Sequence, residues 1–249
     1  MILIILCILL FISTASATEY RLNTVAIEPF SKGINYTGSD PLIIQIEENV
    51  TIRSSNPAGI ESSAPVIIRS PEGRTLSILV NNRTDMIYGI RAPSVSIESG
   101  RIDITVNGQN NNGTSNAFGL CAESGNVTIS GGSVFTMVDT ACHKNKGIYA
   151  SRFILISGGL VRTDQRGGSN TFGLDGGDEG NRDSGVRITG GRILVNSSGA
   201  LNRNIGIDSR SGTVEISGNT VVVIQTDGSG AKQNYAYNPD ITFIHGADE

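Results

Sequence analysis

Several residue types that build binding and catalytic sites are scarce in this sequence. Tryptophan is absent, aromatic residues make up 5% of the chain, and histidine occurs twice, as His143 and His245. The two histidines are far apart in the chain, so they predict no shared metal site. Charged residues make up 17% of the chain, with a formal net charge of −4. This balance predicts neither nucleic acid nor an anionic membrane surface as a partner.

Helical periodicity is also missing, and in its place one short motif occurs five times. The motif reads aliphatic-x-Ile-x-small-Gly/Asn-x-aliphatic, and its copies begin at Val95, Val127, Ile154, Val186 and Val214. A second mark with the same period is a glycine before an aliphatic residue, at Gly89-Ile90, Gly119-Leu120, Gly147-Ile148, Gly173-Leu174 and Gly206-Ile207. Self-similarity of this period indicates a repeat architecture.

The alternation inside the motif predicts the kind of repeat. Aliphatic residues two apart are typical of a strand with one buried face. The glycine between the two strand signals suits a sharp bend, and Asn219, which replaces it in the last copy, tolerates the same left-handed conformation. The sequence therefore predicts an all-β, parallel β-solenoid with coils of about 26–33 residues. We expect it to be right-handed, as crossovers between parallel strands nearly always are.

Stacked coils place equivalent residues in ladders. One predicted ladder contains Ile97, Ile129, Ile156, Ile188 and Ile216, and the other contains Ile102, Val134, Val161, Ile193 and Val221. Neither ladder includes a charged residue. The loops after the second strand vary in length and are rich in Asn, Gly and Ser, so we expect them to emerge on one side as a binding surface.

The two ends of the chain differ from its middle. Residues 1–17 resemble an export signal, because Ile2–Ile12 is aliphatic and Ala15-Ser16-Ala17 fits a cleavage site. The apolar run is far shorter than the roughly 20 residues of a membrane span, so we expect an extracellular chain with no membrane anchor after cleavage. Residues 18–87 are interpreted as an irregular N-terminal cap with the first coils, and residues 88–249 as the regular solenoid.

The C-terminal segment predicts an open edge. Ile241, Phe243 and Ile244 restart the strand pattern, with Ile241 one repeat period after Val214. We expect an uncapped half-coil whose unpaired backbone groups form an assembly edge.

Two further groups of residues allow alternative interpretations. Cys121 and Cys142 lie within one repeat, so they either form a disulfide across that coil or are two separate buried thiols. The acidic stretch with Asp175, Asp178, Glu179 and Asp183 is either a calcium site or a solvated turn, since it lacks the spacing of known calcium loops. No other cofactor is predicted.

Asn-x-Ser/Thr sites occur six times, close to the number that chance predicts. Asn112 is the best glycosylation candidate because it lies in a predicted loop, and Asn35 and Asn82 are further candidates.

No catalytic constellation is visible in the sequence. Asp103, Arg187, Arg192 and Glu215 occupy outward strand positions but do not recur as a cluster, and Lys144 and Lys146 are placed in a loop with His143. These residues are interpreted as a solvated face, and the chain is predicted not to be an enzyme.

The repeat Gly-Ile/Leu-x-Ala/Ser followed by Val-x-Ile-x-Gly-Gly-x-Ile/Val, as in the segment from Gly147 to Gly159, resembles the repeats of secreted prokaryotic β-helix surface proteins. That group includes adhesin-like and carbohydrate-binding β-helix proteins, and the resemblance covers residues 42–246. Carbohydrate binding in such folds would favour stacking aromatics or calcium, whereas Phe118 and Phe172 are attributed here to core packing. A weaker resemblance connects the chain with archaeal cell-sheath proteins, which assemble amyloid-like β-layers.

These features together predict an extracellular structural protein whose main partner is itself. It would assemble through β-edges into a layer, sheath or fibre. The alternative is an adhesin-like module that binds cell-surface polysaccharide through the Asn-rich loops.

Overall fold

The computed structural model describes residues 17–22, 32–71, 73–108, 115–178, 181, 183–210, 212–227, 230–237 and 242–245. This part of the chain forms 24 β-strands and no helix. The strands belong to three sheets, and every pair of neighbouring strands in a sheet is parallel. The predicted all-β parallel β-solenoid is confirmed.

Each coil whose residues are all described contributes one strand to each sheet. Sheet A contains β1 (Thr18–Leu22), β3 (Leu42–Ile46), β6 (Val66–Arg69), β9 (Val95–Ile97), β12 (Val127–Ile129), β15 (Phe153–Ile156), β18 (Gly185–Ile188), β21 (Thr213–Ile216) and β24 (Thr242–His245). Sheet B contains β4 (Val50–Ser54), β7 (Thr75–Asn82), β10 (Arg101–Gly108), β13 (Ser133–Thr140), β16 (Leu160–Arg166), β19 (Gly191–Ser198) and β22 (Thr220–Asp227). Sheet C contains β2 (Ile34–Tyr36), β5 (Ala58–Ser62), β8 (Met86–Ala92), β11 (Asn116–Ala122), β14 (Lys144–Ala150), β17 (Asn170–Gly176), β20 (Arg203–Asp208) and β23 (Gln233–Tyr237).

The repeated motif forms the corner between sheets A and B. Its aliphatic-x-Ile part is the strand in sheet A, and its last aliphatic residue enters the strand in sheet B. Glycines with φ between 73° and 92° make the turn in the first four copies, at Gly100, Gly132, Gly159 and Gly191. The isoleucine ladder of sheet A is in register as predicted, from Ile97 to Ile216.

The last copy of the motif departs from the prediction. Its left-handed residue is Gly218, with φ 66°, rather than Asn219. The strand β22 then begins one residue later than expected, and Val222 pairs with Ile193. Val221, which the sequence placed in the second buried ladder, is 50% exposed on the outer face. The prediction was wrong because an extra residue at the corner moves every following side chain to the other face of a strand.

The solenoid starts well before residue 88. The strands β3, β4 and β5 form one complete coil and β6, β7 and β8 form the next, in register with the coils that follow. The boundary predicted at residue 88 therefore does not coincide with a change in strand pattern. The first of these coils, from Leu42 to its partner Val66, is shorter than the predicted range of coil lengths.

The last strand of sheet A also has a different register from the one that the repeat spacing predicted. Val214 pairs with Phe243, and Glu215 pairs with Ile244. Ile241, which the repeat spacing had aligned with Val214, lies outside the described residues. The backbone of Thr242–His245 forms β24, the last strand of sheet A.

Polar side chains interrupt the aliphatic interior on sheets B and C. Thr136, Thr163 and Gln165 are buried on sheet B, and their side-chain polar atoms have no hydrogen-bond partner among the described residues. At the corner between sheets B and C, Thr171 donates to Asn204 Oδ1 at 2.8 Å, and Asn204 Nδ2 donates to the backbone oxygen of Asp227 at 2.9 Å. The side chains at the corner are therefore hydrogen-bonded. The buried polar atoms on sheet B instead lower the stability of the fold, because they lose their hydrogen bonds to water.

Most of the predicted export signal, residues 1–16, lies outside the described residues. In the described part of the chain there is no helix with the length and hydropathy of a membrane span.

Candidate functional site on the bent outer face of sheet C

Sheet C bends along a row of glycines, which brings two outward rows of side chains together. In β11, Ala117, Leu120 and Ala122 pack in the main core, whereas Phe118 and Cys121 belong to a separate outer cluster. Phe118 and Cys121 are three residues apart, so they can share a face only because the alternation breaks at Gly119. The outer face of sheet C is therefore folded inward along the glycine row.

The bend requires glycine for steric reasons. A Cβ at Gly119 would lie 2.5 Å from Gly147 O and 2.7 Å from Thr136 Cβ. At Gly173 it would overlap the side chain of Val195 and lie 2.5 Å from Gly206 O. These clashes explain the glycine before each aliphatic residue, which the sequence showed as a periodic mark without a reason.

Aromatic rings and one lysine fill the inner row of the bend. Tyr88, Phe118, Lys146 and Phe172 lie in register on successive strands, and each is at most 6% exposed. The rings of Tyr88 and Phe118 stack with centroids 5.1 Å apart. Lys146 Nζ lies 3.9 Å from the centroid of the Tyr149 ring and 5.3 Å from that of Phe118, within the range of cation–π attraction.

These positions correct one sequence interpretation and refine another. Lys146 was placed in a solvated loop, but it lies in β14 and is 4% exposed. Phe118 and Phe172 were attributed to core packing, and both are buried, with Phe118 in a smaller hydrophobic cluster separate from the main core. Periodicity alone could not show that this cluster is separate from the main core, because a strand that breaks its alternation at glycine has buried side chains on both faces.

A buried carboxylate links this row to a second cation. Asp175 is fully buried, with Oδ2 2.7 Å from Lys146 Nζ and both carboxylate oxygens 3.4 Å from the guanidinium of Arg210. Burial on its own would raise the pKa of Asp175, but the charges and hydrogen bonds of Lys146 and Arg210 outweigh it and lower that pKa. The three side chains form an ionised triad.

Arg210 is held in an unusual backbone conformation. Its φ of 52° is the only positive value for a residue other than glycine among the described residues. The backbone N–H of Arg210 donates to Asp208 Oδ1 at 2.9 Å, which holds this turn in place. Strained residues of this kind are concentrated at functional sites.

The acidic stretch considered for calcium is not assembled as a ligand set. Asp175 pairs with the two cations, Asp178 accepts a hydrogen bond from the Tyr149 hydroxyl, and Asp183 is exposed. Glu179 lies outside the described residues. Within the described ranges no group of three or more His, Cys, Asp or Glu side chains could hold a metal ion. Burial and the bond to Asp178 raise the pKa of Tyr149, so this hydroxyl keeps its proton.

The two cysteines are separate free thiols. Cys142 packs in the main core, whereas Cys121 packs with Phe118 on the outer side of sheet C. The sheet lies between them, which excludes the disulfide that the sequence left open. Burial raises the pKa of Cys121 to about 12.

The remaining candidate residues are scattered. Arg187 Nε pairs with Glu215 Oε2 at 2.7 Å, and Arg101 Nε pairs with Asp103 Oδ2 at 3.0 Å, both at exposed positions on the outer faces. Asn35 is exposed, Asn82 is half-buried, and Asn112 lies outside the described residues.

Two open clefts lie beside these features. One, of about 570 Å³, continues the bend of sheet C toward its C-terminal strands and is lined by Lys144, Asn170, Phe172, Asn202, Arg203, Asp208, Arg210, Lys232 and Gln233. The other, of about 580 Å³, lies on the Asn-rich loop side and is lined by Asn81, Arg83, Asn107, Gly108, Asp139, Thr140, Ala141, Gly167 and Gly168.

Neither protein-family models, nor curated proteins, nor solved structures include a match to this chain. The fold defines its class as a parallel β-solenoid.

Proposed function

We propose that this protein is an extracellular structural component that associates with copies of itself through the strands of its last coil. The observation that carries the proposal is the edge strand β22. Among the described residues it pairs with β19 alone, so the backbone N–H and C=O groups on its other side have no strand partner within that part of the chain.

The side chains of β22 favour strand addition. Val221 and Val223 are about half exposed on its outer face, and the run from Thr220 to Thr226 contains no charge and no proline. Protected edge strands usually carry lysine, proline or a bulge. A short uncharged segment of high β-propensity at an edge is instead the sequence signature of strand stacking.

The inward rows that end at β22 run through every strand of sheet B. The inward residues of β22 are Val222, Ile224 and Thr226, and those of β4 are Val50, Ile52 and Ser54. Both sets belong to the same three rows of sheet B, as the register of the intervening strands shows. A strand of another copy that added to the outer side of β22 would continue these three rows at the usual strand spacing of about 4.8 Å.

Electron microscopy of negatively stained protein, with fibre diffraction on any pellet, tests this proposal. We expect filaments or sheets with a meridional reflection near about 4.8 Å. The variant Val223→Lys should remain monomeric, because a charged lysine on an edge strand opposes the addition of another strand. Clean monomeric rods of the unmodified protein would overturn the proposal.

The matched control is Leu194→Lys. Leu194 is the partner of Val223 in the same outer row, one coil further in, on a strand that is paired on both sides. This variant should assemble like the unmodified protein, and equal loss of assembly in both variants would contradict the edge mechanism. Protease treatment of intact cells tests the extracellular location, since a surface layer would be digested.

A further inference from the structure

The cleft on sheet C differs in charge from the rest of the protein. Four cationic side chains line it, Lys144, Arg203, Arg210 and Lys232, against the single carboxylate of Asp208. The whole chain has a net charge of −4. The cleft is therefore a local concentration of positive charge on an acidic molecule, where an anion is attracted over a short range.

Two carboxylates hold one of these cations, Arg210, in place. Asp208 is 4% exposed, and its Oδ1 accepts the backbone N–H of Arg210. The guanidinium of Arg210 is held by the buried carboxylate of Asp175. Arg210 thus stands at the cleft wall in one orientation, so a ligand that pairs with it loses little side-chain entropy.

The polar groups of the cleft form a line. Lys144, Asn170, Arg203 and Gln233 are register partners on four successive strands of sheet C. Strand spacing places Lys144 and Arg203 about 9.6 Å apart along the solenoid axis, with an amide side chain between them. Alternating cations and amides in a row suit a chain whose charged groups alternate with hydroxyl groups better than they suit a single small anion.

We propose that this cleft binds an acidic polysaccharide, with the cations pairing with its carboxylate or sulfate groups and the amides hydrogen-bonding its hydroxyls. Arg203 and Lys232 are exposed cations that would pair with the polymer, and Arg210 is a cation held in one orientation. The ring of Phe172 contributes apolar surface to the wall of the cleft. This site differs from the Asn-rich loop side that the sequence suggested. It is also on a different sheet from the β22 edge, so the two proposals can fail independently.

A binding titration with defined polymers tests the proposal. The unmodified full chain is titrated at low ionic strength with polygalacturonate, dextran sulfate and neutral dextran. We expect saturable binding of at least one acidic polymer, no binding of dextran, and weakening as salt is added. Absence of binding to both acidic polymers would overturn the proposal.

Matched variants locate the site. The double variant R203Q/K232Q should lose at least tenfold in affinity. The control R162Q/R192Q removes the same charge from the exposed outer face of sheet B and should change affinity less than twofold. Equal losses in both variants would show non-specific attraction and refute the site. A single-stranded DNA oligonucleotide is titrated in the same way as a different class of polyanion. Tighter binding of DNA than of either polysaccharide would refute the assigned ligand class.

Discussion

The interior coils and the last coil are built from the same motif, yet they differ in how well they bury it. Between sheet A and sheet B the four interior coils with the first four copies of the motif use five residues, as from Ile188 to Ile193, whereas the last coil uses six, from Ile216 to Val222. The interior valines and isoleucines of sheet B are buried, while Val221 and Val223 are about half exposed. One residue at a corner therefore converts a buried ladder position into exposed surface, since side chains alternate along a strand.

The two regions also differ in polar content. The interior coils contain the buried triad of Lys146, Asp175 and Arg210, and buried hydroxyls such as Thr163. The corresponding strands of the last coil carry half-buried and exposed side chains instead. Substitutions in the interior coils should therefore lower the stability of the protein more than matched substitutions in the last coil.

Thiol accessibility should give the largest contrast. Burial raises the pKa of Cys121 to about 12 from 9.0, which lowers its thiolate fraction near pH 8 about a thousandfold. We expect Cys121 and Cys142 to resist alkylation in the folded protein and to react after unfolding. A cysteine introduced by Val223→Cys should react within minutes in the native state. Mass spectrometry of alkylated peptides measures this, and rapid native labelling of Cys121 would contradict the packing of the bend.

Removal of the buried charge should cost the most stability. Asp175→Asn leaves Lys146 buried without its carboxylate, so we expect a loss of about 3–5 kcal/mol in the free energy of unfolding. Chemical denaturation measures this loss. The control Arg187→Gln breaks an exposed pair and should cost below about 1 kcal/mol. Similar losses in both variants would contradict the buried triad.

The buried carboxylate of Asp175 also predicts that the free energy of unfolding depends on pH. The folded-state pKa of Asp175 lies below its unfolded value. Its contribution is therefore present above the ordinary carboxyl pKa of about 4 and is lost as the pH falls through the folded pKa. Acid titration of the unfolding free energy should show a shallower decline in Asp175→Asn than in the unmodified protein.

Substitutions in the glycine row should give the next largest difference in stability between the interior coils and the last coil. Gly173→Ala places a methyl group against Val195 and the backbone of Gly206, so we expect a loss of about 1–3 kcal/mol. The equivalent position on β23 already carries a side chain, Ala236, which follows Tyr235 as Gly206 follows Ile205. Ala236→Gly should change stability by less than about 1 kcal/mol. The midpoint of urea denaturation, compared at an unchanged dependence of the free energy of unfolding on urea concentration, measures these effects. If Gly173→Ala did not change stability, sheets B and C would not approach each other closely.

The smallest effect should be a gain in stability. Thr163 Oγ1 is buried without a partner among the described residues, between Thr136 and Val195 in its row. Thr163→Val replaces the hydroxyl with a methyl group of similar size and should stabilise by up to about 1 kcal/mol. Thr226→Val, on the half-buried strand β22, should have little effect. A loss of stability in Thr163→Val would indicate that the hydroxyl is hydrogen-bonded in solution.

Much of the fold could be predicted from the sequence, and much of the candidate site could not. The Val-x-Ile alternation and the recurring Gly pair predicted the strands of sheet A and the turn into sheet B. The outer cluster around Phe118 was missed because Gly119 breaks the strand alternation on which the prediction relied. One signal was available: a lysine at position 146 in the column occupied by Tyr88, Phe118 and Phe172 indicated that this column does not face an aliphatic core.

The sequence by itself determined the stacking of coils, because a period-two pattern that recurs once in every coil can bury its aliphatic face only against its neighbours. Only the tertiary structure decided which partners distant residues find. It placed Cys121 and Cys142 on opposite sides of one sheet, separated Asp175 from Asp178, and joined Lys146 to Arg210 through one carboxylate. The physical reason is that local periodicity specifies which face a side chain takes. The lengths of the corners and the bend of a sheet specify which residues of other coils lie opposite it.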